Sequence, residues 1–337
     1  VILHFVQDDK RVCALTGLTK QRMVGYSHCV RTRIEEGKAL LKSRRLGRPL
    51  QAALILLILT FFGIALYNLL PQILAYNWQF DPTYLALALL LIVVRGPLGS
   101  HGWWAIMRQL GYTLPWLRSL RIVYYSTLAG YLPGGMWHAV SRVYLAEKEG
   151  APRVITLLSV VIESALVALG AALIAPLAIL AWPDFPLWLV VGTLAVLVGF
   201  MLQPNVLFRV MDWALVKIKR QPMAVKMTPW DMLRLLWPYA LNWLLFGIMS
   251  FALVAAIYPQ IPIDQAPAIA GVFTTAWLVG YVAIFVPQGL VVREVIIVSF
   301  LTGVLAIPVP VATASAVLSR LWSMLGVAIW GAISTRL

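Results

Sequence analysis

IVYYSTLAGYLPGGMWHAVSRVYLAEKEG, residues 122–150, decides how this chain is read. It starts beside Arg118 and Arg121 and ends beside Lys148 and Arg153, so it is basic at both ends. A helical membrane crossing needs about 20 predominantly apolar residues, and two such crossings do not fit. Loops rich in Lys and Arg stay on the cytoplasmic side. The stretch is therefore expected to enter and leave on one side, as a re-entrant hairpin broken at Pro133, Gly134 and Gly135. Irregular backbone at that depth is tolerated where protein or a water-lined cavity surrounds it.

The rest of the chain agrees with a membrane setting. Of its 337 residues 61% are hydrophobic and 12% charged, where a soluble domain carries about 25% charge. Mean hydropathy is +0.85. The net charge of +14 is unevenly spread, with eleven of the 27 Lys and Arg in residues 1–48. That bias belongs to topology and to anionic lipid rather than to nucleic acid. Residues 1–48 read as a basic cytoplasmic segment, with a short amphipathic helix at 31–49. Residues 1–22 precede the first methionine, Met23, and are expected to be an extension rather than designed structure. Cys13 and Cys29 imply no disulfide framework, and with His4 and His28 they match no zinc spacing.

From 49 to 337 the apolar runs predict an all-α polytopic protein. About eight transmembrane helices are expected, near 50–70, 83–108, 152–180, 187–203, 232–258, 268–286, 289–306 and 311–333, plus the hairpin. The predicted outer loops hold Asp81, Asp184 and Asp264 and no Lys or Arg. Both termini then lie inside, in the cytoplasmic membrane. The 14 Trp and 12 Tyr are expected mostly in interfacial belts.

An internal echo suggests a pseudo-repeat with broken helices. Residues 129–136, AGYLPGGM, and 285–290, FVPQGL, share an aromatic-aliphatic-Pro-x-Gly pattern, the second built on Pro287 and Gly289. Arg142 follows the first, and Arg293 with Glu294 the second. About 30 residues past each proline stands another charge inside an apolar run, Glu163 and then Arg320. Paired helix breaks in corresponding halves point to a transport site.

Charges within crossings cost roughly 2.5–3.5 kcal/mol each at mid-helix and so face protein or water. Arg95, Glu163, Arg293, Glu294 and Arg320 are such positions. Glu163 and Arg320 read either as each other's counter-ion or as the lining of a polar groove. His138 and Arg142 are four residues apart, hence on one helical face, and Arg142 is suited to an anionic oxygen. His101 reads as a satisfied polar residue in a kinked helix. The motifs of nucleotide, zinc-protease and serine-hydrolase chemistry are missing, so the expectation is a protein without enzymatic activity, cofactor or metal.

YLPGGMWHAVSRVYLAEKEG (131–150), LLSVVIESAL (157–166), FVPQGLVVREVIIVSFL (285–301) and AVLSRLWSM (316–324), in that order, resemble the transmembrane region of lysylphosphatidylglycerol synthases. The likeness covers about residues 50–335. It implies a flippase-like membrane domain without the soluble aminoacyl-transfer domain, acting on a phospholipid or lipid-linked substrate. Trp137-His138 and Gln288 depart from the family's usual residues at those places. The substrate-path candidates are Arg142, Glu163, Glu294, Arg320 and His138. The partner expected is a membrane lipid with a charged or phosphate-bearing headgroup, with self-association left open. A small-solute secondary transporter and a non-transporting subunit of a cell-envelope lipid pathway remain alternatives.

Overall fold

A computed structural model describes residues 70–130, 137–181, 205–217, 227–282 and 291–336, with positions 192, 195, 199 and 289. The expected helix at 31–49, the crossing at 50–70, Pro133, Gly134, Gly135 and Pro287 lie outside the described residues. So does most of the crossing at 187–203.

Among the described residues all regular structure is helical. The elements are α1 (Pro82–Gln109), α2 (Trp116–Ala129), α3 (Trp137–Lys148), α4 (Arg153–Ile174), α5 (Asn205–Lys217), α6 (Pro229–Ile257), α7 (Ala266–Val282), α8 (Val292–Gly303) and α9 (Val309–Thr335). A 3₁₀ turn, Ala175–Ala181, extends α4. Four stretches are long and apolar enough to cross a membrane: Pro82–Gln109, Arg153–Ile179, Pro229–Ile257 and Val309–Thr335. All four coincide with expected crossings.

Local chemistry starts the two longest helices cleanly. Asp81 caps α1 by accepting from the Thr83 N–H at 2.8 Å, and a proline occupies the first turn. Thr228 and Asp231 form a reciprocal capping box on α6, again with a proline. Both devices satisfy N–H groups that a helix start leaves unpaired. The Asp81 N–H also donates to the Ala256 carbonyl at 2.9 Å. That bond ties the start of α1 to the end of α6, so the two run antiparallel.

One expectation needs correction. Where a crossing was predicted at 289–306, α8 has 12 residues, about 18 Å of helix against a hydrocarbon core of about 30 Å. Val291 precedes it with φ 71°, a conformation that breaks helical continuity for a β-branched residue. Like α2 and α3, the α7 and α8 helices pack against each other.

The packing partners repeat. Helix α1 packs on α2, α2 on α3, α3 on α4 and α1 on α4; likewise α6 on α7, α7 on α8, α8 on α9 and α6 on α9. Contacts between the two sets follow the same exchange, for α4 meets α6 as α9 meets α1, and α9 meets α2 as α4 meets α7. The pair α1–α6 maps onto itself. At the centre Met249–Ile257 of α6 is buried throughout. By contrast α1 leaves Leu85, Leu89, Leu90, Val93 and Val94 exposed, an apolar face that lipid accepts.

Candidate functional site

Arg142 is carried inward by α3, with 1% of its surface exposed. Its Nε donates to Ser126 Oγ of α2 at 2.9 Å, and the Ser126 hydroxyl in turn donates to the Val123 carbonyl at 2.8 Å. Nη1 forms an ion pair with Glu163 of α4. Nη2 lies 2.9 Å from His138 Nε2, one turn back on α3. Since guanidinium only donates, that imidazole nitrogen accepts. The guanidinium carbon lies 5.2 Å from the ring centroid of Trp103 on α1. Trp103 is itself fully buried, donating to Ser159 Oγ at 2.9 Å.

Each nitrogen of Arg142 thus has a partner inside the protein, and four helices converge on one side chain. The expected i, i+4 pairing with His138 is present. The counter-ion of Glu163 is Arg142 rather than Arg320, which removes the Glu163–Arg320 ion pair, one of the two readings the sequence left open. Trp103 is a core residue, an exception to the interfacial placement expected for most of the tryptophans. Its indole and the Ser126 hydroxyl were not singled out by the sequence. The sole signal was polarity within an apolar stretch.

The second cluster lies between α8 and α9. Arg320 Nε donates to Glu294 Oε1 at 3.0 Å. Here the arginine side chain is 24% exposed. Glu294 Oε2 is buried and accepts no hydrogen bond from the described residues. Its neighbour Arg293 points elsewhere, lying over Gly280 of α7: a Cβ built there would come within 2.5 Å of Arg293 Cγ. Gly289 explains why a glycine stands at this turn. Its φ is 63°, and a Cβ would meet the Gly280 Cα at 2.6 Å. Two backbones touch there with no room for a side chain.

The candidates therefore separate into two ion pairs, each joining a short helix to the long helix that follows. Charge polarity is reversed between them, with the cation on α3 and the anion on α8. His101 belongs to neither; its ring lies 5.3 Å from that of Trp104 and 5.6 Å from that of Trp237. Among the described residues no three His, Cys, Asp or Glu side chains gather as metal ligands would.

Comparison with known proteins adds one positive finding. A family model described as "Lysylphosphatidylglycerol synthase TM region" matches residues 48–331. No curated protein matches the chain.

Proposed function

The chain belongs to the lysylphosphatidylglycerol synthase transmembrane-region family and is a multi-pass membrane protein, and from that premise we propose that it moves a phospholipid or lipid-linked headgroup between leaflets. The observation that carries this reading is the exchange symmetry of α1–α4 with α6–α9. An odd number of crossings between two like units inverts one against the other. With the expected crossing at 187–203 between them, α2–α3 enters from the cytoplasmic side and α7–α8 from the outer side. Inverted repeats with broken helices let one half rock against the other around a midplane site.

The ion pairs fit such a device in different ways. Arg142–Glu163 clasps its hairpin to α4. Arg320–Glu294 is less enclosed, with the arginine side chain 24% exposed and Glu294 Oε2 accepting no hydrogen bond from the described residues, so it can offer both signs to a passing headgroup. Near the outer ends of α1, α6 and α9 lies an open surface depression of about 300 Å³ lined by Trp78, Phe80, Ile257, Ala314, Val317 and Leu318. Its apolar lining is compatible with acyl chains. In this reading the protein catalyses no covalent step, and the Lys and Arg bias puts both termini in the cytoplasm.

The test is reconstitution into liposomes containing fluorescent phosphatidylglycerol, phosphatidylethanolamine or polyprenyl phosphate, with quencher added outside. Protein-dependent quenching of the inner-leaflet pool for at least one lipid is expected. If all three stay protected, the translocase reading fails.

A further inference from the structure

Arg95 differs from the other arginines inside the crossings. It is the fourteenth residue of α1, and Asn242, its hydrogen-bond partner, is the fourteenth of α6. Those helices are the self-paired element of the exchange, so the two residues meet where the repeats meet, near mid-membrane. Nε donates to Asn242 Oδ1 at 3.2 Å. Nη1 reaches only the Met249 sulfur, at 3.7 Å, a weak acceptor. The guanidinium carbon lies 4.9 Å from the Phe246 ring centroid. Among the described residues no carboxylate is within ion-pair range and Nη2 has no hydrogen-bond acceptor.

The surroundings provide little more. Tyr124 of α2 donates its hydroxyl hydrogen to the Gly96 carbonyl at 2.7 Å. Trp330 of α9 stacks near Tyr124, with centroids 6.0 Å apart, and its indole is committed to the Val93 carbonyl at 3.0 Å. Arg142 and Arg320 are each neutralised by a glutamate; Arg95 has a neutral amide, a thioether and an aromatic face. A part-buried cation midway along a crossing, with no counter-ion among the described residues, is costly. It has spare donors in the planar fork that suits phosphate.

We propose that Arg95 binds a phosphate group at the midplane, where the two repeats cross. As a station on a lipid path this rests on the translocase reading; as an anion site it stands on the geometry. The phosphate belongs to an anionic lipid headgroup or to free phosphate, and the two are separated by experiment.

Wild-type protein in neutral detergent is titrated with phosphatidylglycerol, phosphatidylcholine or inorganic phosphate, following thermal stability. Phosphatidylglycerol should stabilise it, with an apparent affinity about tenfold weaker in Arg95→Gln, the scale of a lost charge-assisted contact. Arg95→Lys should recover part of it. Asn242→Asp supplies a carboxylate at 3.2 Å from Nε and should weaken binding as much, even though Arg95 is intact. That variant decides the matter if Arg95→Gln does not fold. Equal affinity in wild type, Arg95→Gln and Asn242→Asp overturns the proposal, as does equal stabilisation by phosphatidylcholine. Arg95-dependent binding of inorganic phosphate alone upholds the site and assigns it to free phosphate. Arg95-dependent lipid binding without any leaflet exchange upholds the site and removes the translocase reading.

Discussion

The α2–α3 and α7–α8 pairs contain the same parts and use them differently. In the first, a buried arginine has Ser126, Glu163 and His138 on its three nitrogens and Trp103 over its face. In the second, the charges trade places, the arginine is partly exposed and one glutamate oxygen is left without a described donor. A closed cluster resists rearrangement because every group released loses a partner in a low-dielectric surrounding. An open one can exchange a protein contact for a ligand contact at small cost. In the proposed translocase the two halves would therefore divide the work, with α3 fastened and α8 the side on which a headgroup could compete.

That division is broken most directly at the first pair. Replacing Glu163 by Ala strands a buried guanidinium, a loss on the order of 3–5 kcal/mol. Arg142→Ala should cost a similar amount, and the combined Arg142→Met/Glu163→Leu variant should regain much of it, since no charge is then left unpaired. Unfolding titrations in mixed detergent read these losses. Equal cost for the single and combined variants would falsify the clasp.

At the second pair the same operation has a smaller structural and a larger functional consequence. Arg320→Gln and Glu294→Gln each remove one charge-assisted hydrogen bond, worth about 1.5–3 kcal/mol at most in a buried setting, and the partial exposure of the arginine lowers that. Leaflet exchange should nevertheless fall roughly tenfold, the scale of one such contact made to the moving headgroup. The readout is the exchange rate of labelled lipid at equal folded protein. An exchange rate unchanged in both variants would mean that the α8 side is as structural as the α3 side. Between these cases stands Gly289→Ala. A Cβ in left-handed backbone costs roughly 1–2 kcal/mol, and the 2.6 Å approach to Gly280 adds a clash, so stability should drop although no charge has changed.

The four long crossings were legible because each is an apolar run of sufficient length with few charges inside it and most basic residues in particular loops. The short α8 was not. Residues 289–306 are about as apolar as a true crossing, and hydropathy counts residues without knowing where Val291 turns the chain. Partner choice among the charges was hidden for a related reason. Arg142 and Glu163 are 21 residues apart, and only the packing of α3 on α4 brings them together. The Pro-x-Gly echo pointed to corresponding places in the two halves, yet the sequence alone did not show that the ion pairs form within each half. Asn242 went unnoticed because one amide in a 29-residue apolar helix carries no charge to draw attention.

His138 gives the smallest expected effect and the finest discrimination. Its Nε2 accepts from Arg142, so the neutral ring carries its proton on Nδ1, and the contact in hand is to the arginine. His138→Gln retains an acceptor on the same face and should cost less than about 1.5 kcal/mol, the upper range of a single neutral hydrogen bond. His138→Leu removes the acceptor and should cost more, by an increment that disappears when Arg142 is already Met. Headgroup preference in the exchange assay should be the same for His138→Gln and wild type, because each nitrogen of the Arg142 guanidinium already has a protein partner. A preference that shifts with this substitution would place His138 on the path and make the two halves alike after all.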